Sequence, residues 1–177
     1  MGRCDRKVDL GRRWFLSGAG VSAAGAAAAT VVPQQAKAEA AAPLARVQYP
    51  SNRLANTSDL KLNEPLHVAY PDADAPGVLL KLGSKVPGGV GPESDIVGFT
   101  TVCPHKGFPL SYNPADKTMN CPGHYSRFDC ENGGQEIWGQ ATQNLPQYQL
   151  RVDDKGDIYA EGVDELLYGR LSNVLEA

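Results

Sequence analysis

Two short stretches constrain this chain more than anything else in it: Cys103-Pro104-His105 and, fifteen residues further on, Cys121-Pro122-Gly123-His124. Together they read C-x-H-x15-C-x2-H and use two of the three histidines and two of the four cysteines. Gly107 and Pro109 follow the first half, while Pro122 and Gly123 lie inside the second. Such stretches form loops, and thiolate and imidazole are the ligands that soft or borderline metals prefer. Any fold for this chain must bring two separate loops to one point.

Two metal centres compete for that donor set. A structural zinc site takes two Cys and two His in a tetrahedron, but its usual spacings keep the cysteines together and the histidines together. Here each loop supplies one of each. The other centre has two irons, with a pair of His replacing a pair of Cys on one of them. Cys103 and Cys121 would then hold one iron, and His105 and His124 the other.

The segments around the loops predict an all-β chain. Gly and Pro number 32 together, which favours many turns and short strands over long helices. Leu66–Tyr70, Val78–Leu82 and Asp95–Val102 read as strands, the last running directly into Cys103. A Gly/Pro-rich loop occupies residues 83–94. Residues 148–152 and 157–160 flank Asp153-Asp154-Lys155-Gly156, a hairpin signal. Residues 39–58 read as an extended polar arm, and only 163–175 has apolar spacing that would suit a helix. Cys130 is expected to be a small buried hydrophobe, His67 a strand histidine with a structural hydrogen bond, and Trp138 a core residue.

The second loop continues as Cys121-Pro122-Gly123-His124-Tyr125-Ser126-Arg127-Phe128-Asp129. It resembles the C-P-x-H-x-S-x-F/Y-D loop of Rieske iron–sulfur proteins, and the resemblance spans roughly residues 60–160. It implies a Rieske-type antiparallel β-sandwich or barrel over residues 59–165, with an inserted cluster-binding subdomain at about 98–145. It also implies one [2Fe–2S] cluster, ligated by Cys103, His105, Cys121 and His124, at a potential within the broad range of about −150 to +300 mV. In the family the imidazoles face the electron partner. Many members also join the two loops by a disulfide, and its positions here are Phe108 and Gly123, so that bridge is absent. By resemblance Ser126 donates a hydrogen bond to a cluster sulfur. Phe128 stands where high-potential members have Tyr, which implies a lower potential.

Beyond the loops, Val102–Gly107 and Ile137–Gln147 are similar to the small subunits of arsenite oxidases. That resemblance implies an oxidoreductase whose substrate chemistry lies on a large molybdopterin-containing catalytic subunit. Electrons would pass through this chain to a cytochrome c or a copper protein. The Rieske subunit of a bc-type respiratory complex and a structural zinc module remain as alternatives.

Charge and the first residues bear on location. Residues 1–38 hold six Lys/Arg and two acidic residues, and the rest of the chain eleven and eighteen. An acidic mature chain lacks the clustered cations that phosphate contact needs, which excludes nucleic acid as a partner. The start reads Gly11-Arg12-Arg13-Trp14-Phe15-Leu16, then an Ala/Gly-rich run to Val32, then Ala36-Lys37-Ala38. This is the layout of a secretory signal, and the paired arginines resemble the twin-arginine type. Residues 1–38 are thus expected to be a signal peptide that exports the chain to the periplasm and takes Cys4 with it. Retained, the segment would serve as a membrane anchor, although its apolar run is near the lower limit of about 17 residues for spanning. Residues 166–177 are left as a C-terminal tail.

Overall fold

The computed structural model describes residues 48–175, so the signal segment and residues 39–47 of the arm lie outside the described residues. Among the described residues ten strands form three antiparallel sheets. β1 (Asn52–Asn56), β10 (Asp157–Val163) and β9 (Tyr148–Val152) make the first, in the order β1-β10-β9. β2 (Leu66–Ala69), β3 (Pro76–Lys81) and β4 (Ile96–Thr100) make the second. β5 (Ser111–Asn113), β6 (Thr118–Asn120), β7 (Arg127–Asp129) and β8 (Gln135–Trp138) make the third.

Burial explains the layering. β4 (Ile-Val-Gly-Phe-Thr) is buried at every position, so it reads as a continuous apolar run rather than an alternation. Leu79 and Ile96 face Ile158 and Ala55 of the first sheet in one core. Phe99, Val97 and Leu80 join Met119 and Phe128 of the third sheet, and Leu145 of the loop after it, in another. The second sheet is therefore shared between the two cores, and the third sheet is the inserted subdomain, falling in sequence between β4 and β9. The all-β antiparallel architecture expected from the sequence is the one observed.

The 153–156 hairpin forms as expected. Asp153 Oδ1 accepts hydrogen bonds from the N–H groups of Lys155 and Asp157, each at 2.9 Å. An Asp side chain that caps its own turn in this way fixes the register of the strands it joins.

Four expectations change. Residues 52–56 of the arm are extended but are strand β1, paired with β10 from Asn52↔Ala160 to Asn56↔Asp157. The tail forms no helix in its described residues. The Leu167 N–H donates to the Asn173 side chain at 2.8 Å, and Gly169 takes a left-handed conformation, φ 80°, so the i→i−4 ladder has no place to propagate. Trp138 is not in the core. It ends β8, an edge strand paired only with β7, and is 68% exposed. His67 lies on β2 as expected but is exposed to solvent, and the structural hydrogen bond expected of it is not found among the described residues.

Candidate metal centre

Both ligand loops are tips of hairpins with the same closure. The Cys103 N–H donates to the Phe108 carbonyl at 2.8 Å, and the Cys121 N–H donates to the Ser126 carbonyl at 2.9 Å. Each cysteine thus bonds to the residue five further on. Below the first tip, Val102 pairs with Pro109; below the second, Asn120 pairs with Arg127 across β6 and β7. Within the first loop the Gly107 N–H also returns to the Cys103 carbonyl at 2.9 Å.

This framework sorts the four candidate ligands by kind. Cys103 and Cys121 share one buried core, close enough for each thiol to bear on the other. The imidazoles of His105 and His124 meet edge to face, centroids 4.7 Å apart. Both cysteines are buried in the core beside Leu110, Met119 and Phe128, while His105 is half-buried and His124 exposed. Burial pushes the Cys103 thiol's pKa up, and the backbone N–H groups of His105 and Lys106, aimed at the sulfur, pull it down. Among the described residues no three or more His, Cys, Asp or Glu side chains gather as ligands of one ion. Thiol beside thiol and imidazole beside imidazole matches the two-and-two division of the iron pair that the sequence implied.

His105 adds a separate sign of a missing ligand. Its Nδ1 is buried with no hydrogen-bond partner. A buried polar atom left unpaired costs about 1–3 kcal/mol, so such atoms are rare unless an ion or water meets them. Iron held there would remove the cost and would leave the other ring N–H free to face a partner. The donor set fits the group that the sequence implied.

Around this centre the residues singled out from sequence fall as follows. Ser126 is fully buried, and its Oγ accepts the N–H groups of Gln140 and Ala141, each at 3.0 Å. A hydroxyl has two lone pairs and one proton, so the proton is what remains to be given. Phe128 is fully buried, with no polar atom to give. The Phe108 ring covers Gly123 so closely that a Cβ there would stand 2.9 Å from it, and it meets His124 edge-on at 5.8 Å. Aromatic packing thus joins the loops at the two positions where the resemblance puts a disulfide. Cys130 is buried outside the ligand set, and burial pushes its thiol up to about 12, which makes it inert. Sequence reading missed two contacts. Tyr125, 72% exposed at φ 63°, shares with Trp138 and His124 the walls of a shallow hollow. Tyr168 packs on Gly107 from 61 positions away, and no local pattern announces that.

The fold and paired donors define an iron–sulfur electron-transfer protein: the chain belongs to the Rieske [2Fe-2S] domain family, which it matches over residues 51–149. Its cofactor is a single Rieske-type [2Fe–2S] cluster. It is 40% identical over 167 residues to the iodate reductase subunit IdrB of Denitromonas iodatirespirans, covering 93% of this chain and 86% of that protein. It is also 40% identical over 127 residues to the IdrB of Pseudomonas sp. (strain SCT), covering 70% and 66%. Among solved structures it resembles the soluble domain of Rieske protein II from Sulfolobus acidocaldarius, with a TM-score of 0.59 and 26% identity over 65% of this chain and 78% of that one. The two sequence relatives are named for iodate rather than for the arsenite that the local stretches suggested.

Proposed function

We propose that this chain is the electron-transfer subunit of a periplasmic oxyanion oxidoreductase, with Cys103 and Cys121 on one iron and His105 and His124 on the other. The pairing of thiol with thiol and imidazole with imidazole carries the ligand assignment. When bound, the cluster supplies one-electron transfer at a potential raised by neutral histidine ligands. The protein's own part is to bury and to expose. Cys103 and Cys121 sit in the apolar core, which keeps water from the sulfur end. His105 and His124 stand at the surface end, so a partner must approach there. Ser126 holds a hydroxyl proton aimed by two backbone donors, and that proton raises the electron affinity of whatever sulfur accepts it.

Substrate chemistry belongs to a large molybdopterin-containing partner subunit, and a cytochrome c or copper protein sits at the other end of the relay. The long similarity to an iodate reductase subunit favours iodate as the partner's oxyanion. Stretches 102–107 and 137–147 favour arsenite, with electrons running the opposite way. Export by the twin-arginine route delivers the chain, and cleavage after Ala38 frees it from the membrane.

Purification of the native complex tests this reading. We expect a red-brown protein containing iron, acid-labile sulfide and a molybdenum-bearing partner. Iodate should reoxidise the reduced complex, or arsenite should reduce a cytochrome through it; a complex that responds to neither oxyanion would sink the enzyme assignment. His105→Ala or His124→Ala should abolish the rhombic signal of the reduced cluster, and normal spectra in both would remove these two residues as ligands. Mass measurement of the mature chain reports the cleavage site.

A further inference from the structure

Two rings are wedged against the glycines of the ligand loops. One is Phe108 on Gly123. The other comes from the C-terminal tail: a Cβ on Gly107 would stand 2.5 Å from Tyr168 Cε1, so the ring is in close contact with the loop that carries Cys103 and His105. Gly107 holds φ 71°, a left-handed conformation, and from there donates its N–H to the Cys103 carbonyl.

The tail that presents Tyr168 is anchored on both sides of it. Leu167 is buried among Tyr70, Ala75 and Tyr148. Asn173, 6% exposed, accepts the Leu167 N–H at 2.8 Å and donates to the Glu165 carbonyl and the Tyr49 hydroxyl, each at 2.8 Å. Arg170 grips Asp72 with two hydrogen bonds, at 2.5 and 2.8 Å. Higher up, Gln143 of the inserted subdomain donates to the Leu166 carbonyl at 3.3 Å. A stretch without regular structure is thereby bolted to the base of the fold and pressed against the first ligand loop.

We propose that Tyr168 is a positioning residue: residues 165–173 form a strap whose ring holds the Cys103–Phe108 turn closed and so sets how long the turn keeps its iron. This rests on the reading of Cys103 and His105 as ligands. The ring touches the loop through its carbon edge, so the contact is packing and does not need the phenol.

The full chain with Tyr168→Ala and Tyr168→Phe separates the possibilities. Amide hydrogen exchange at Cys103 and Gly107 is expected to be about tenfold faster in Tyr168→Ala, equivalent to about 1.4 kcal/mol of local opening. Cluster release into an iron chelator should speed up by a similar factor, while global melting of the apoprotein stays as in the native chain. Tyr168→Phe should match the native chain in all three. Arg170→Ala, which frees one anchor, should give an intermediate exchange rate. Unchanged exchange and unchanged release in Tyr168→Ala would overturn the proposal. If the native chain itself carries no iron and sulfide, the ligand reading fails, and the exchange measurement still decides whether the strap acts on the loop.

Discussion

At the scale of single residues, hydrogen-bonding capacity separates Ser126 from Phe128. Ser126 Oγ accepts the part-buried Gln140 N–H and the buried Ala141 N–H, so Ser126→Ala strands a buried donor. We expect a loss of about 1–3 kcal/mol in denaturant unfolding, since an unmet buried donor costs that much, together with a lower reduction potential. A variant that loses stability but keeps its potential would show that the hydroxyl proton does not reach the cluster. Phe128→Tyr tests the other side. The ring is fully buried, so a new hydroxyl must find an acceptor or be penalised. With a cluster sulfur as acceptor the potential rises in a redox titration and stability holds. Without one, stability falls and the potential stays. His105 Nδ1 belongs at this scale too, because the sequence identifies the histidine but only the fold shows which nitrogen is buried and bare.

Among the elements, the hairpins carry the site. Each ligand loop closes by the same backbone bond from cysteine to the residue five ahead, although His lies two positions after one cysteine and three after the other. The loops are then joined by a ring on a glycine. Gly123→Ala forces that ring to move, since the new methyl would meet it at 2.9 Å. The expected outcome is faster cluster loss in chelator with little change in the melting of the apoprotein, whereas unchanged cluster retention would mean that Phe108 does not clamp the loops.

Much of this level was legible beforehand. The β-branched run into Cys103, the Asp153–Gly156 hairpin and the ligand spacing are local signals, and β4, β9 and β10 appear where they point. What stayed hidden depends on distant partners. β1 reads as a polar arm because its pairing lies on β10. Trp138 reads as core because nothing local says that β8 is an edge. The tail reads as helical because its leucines have suitable spacing, while Asn173 and Arg170 divert it through side-chain contacts.

For the molecule as a whole, acid sensitivity follows from three carboxylates. Arg170 holds Asp72 below the usual carboxylate range, and so does Arg53 for Asp157 and Arg151 for Glu161. Their folded pKa values are depressed, so the stability they contribute is present above the unfolded values, about 4, and is lost as pH falls through the folded ones. Melting temperature is expected to drop across that acid window. All three pairs are solvent-accessible, so each contributes modestly. Asp72→Asn should flatten its share of the slope, and an unchanged pH profile would show that this pair adds nothing. Asp164 works in the opposite sense: burial raises its pKa, so protonating it relieves a cost.

The pairing of β1 with β10 fixes an order of events during synthesis. Arg53 and its ion-pair partner Asp157 are 104 residues apart, and β10 lies between β1 and β9. As the polypeptide leaves the ribosome, β1 waits for a mate made 104 residues later. The strands flanking the two candidate ligand turns meet within a few residues, and closing so short a loop costs little entropy. The nest for the metal is woven early, and the knot that ties the two ends of the domain is drawn last.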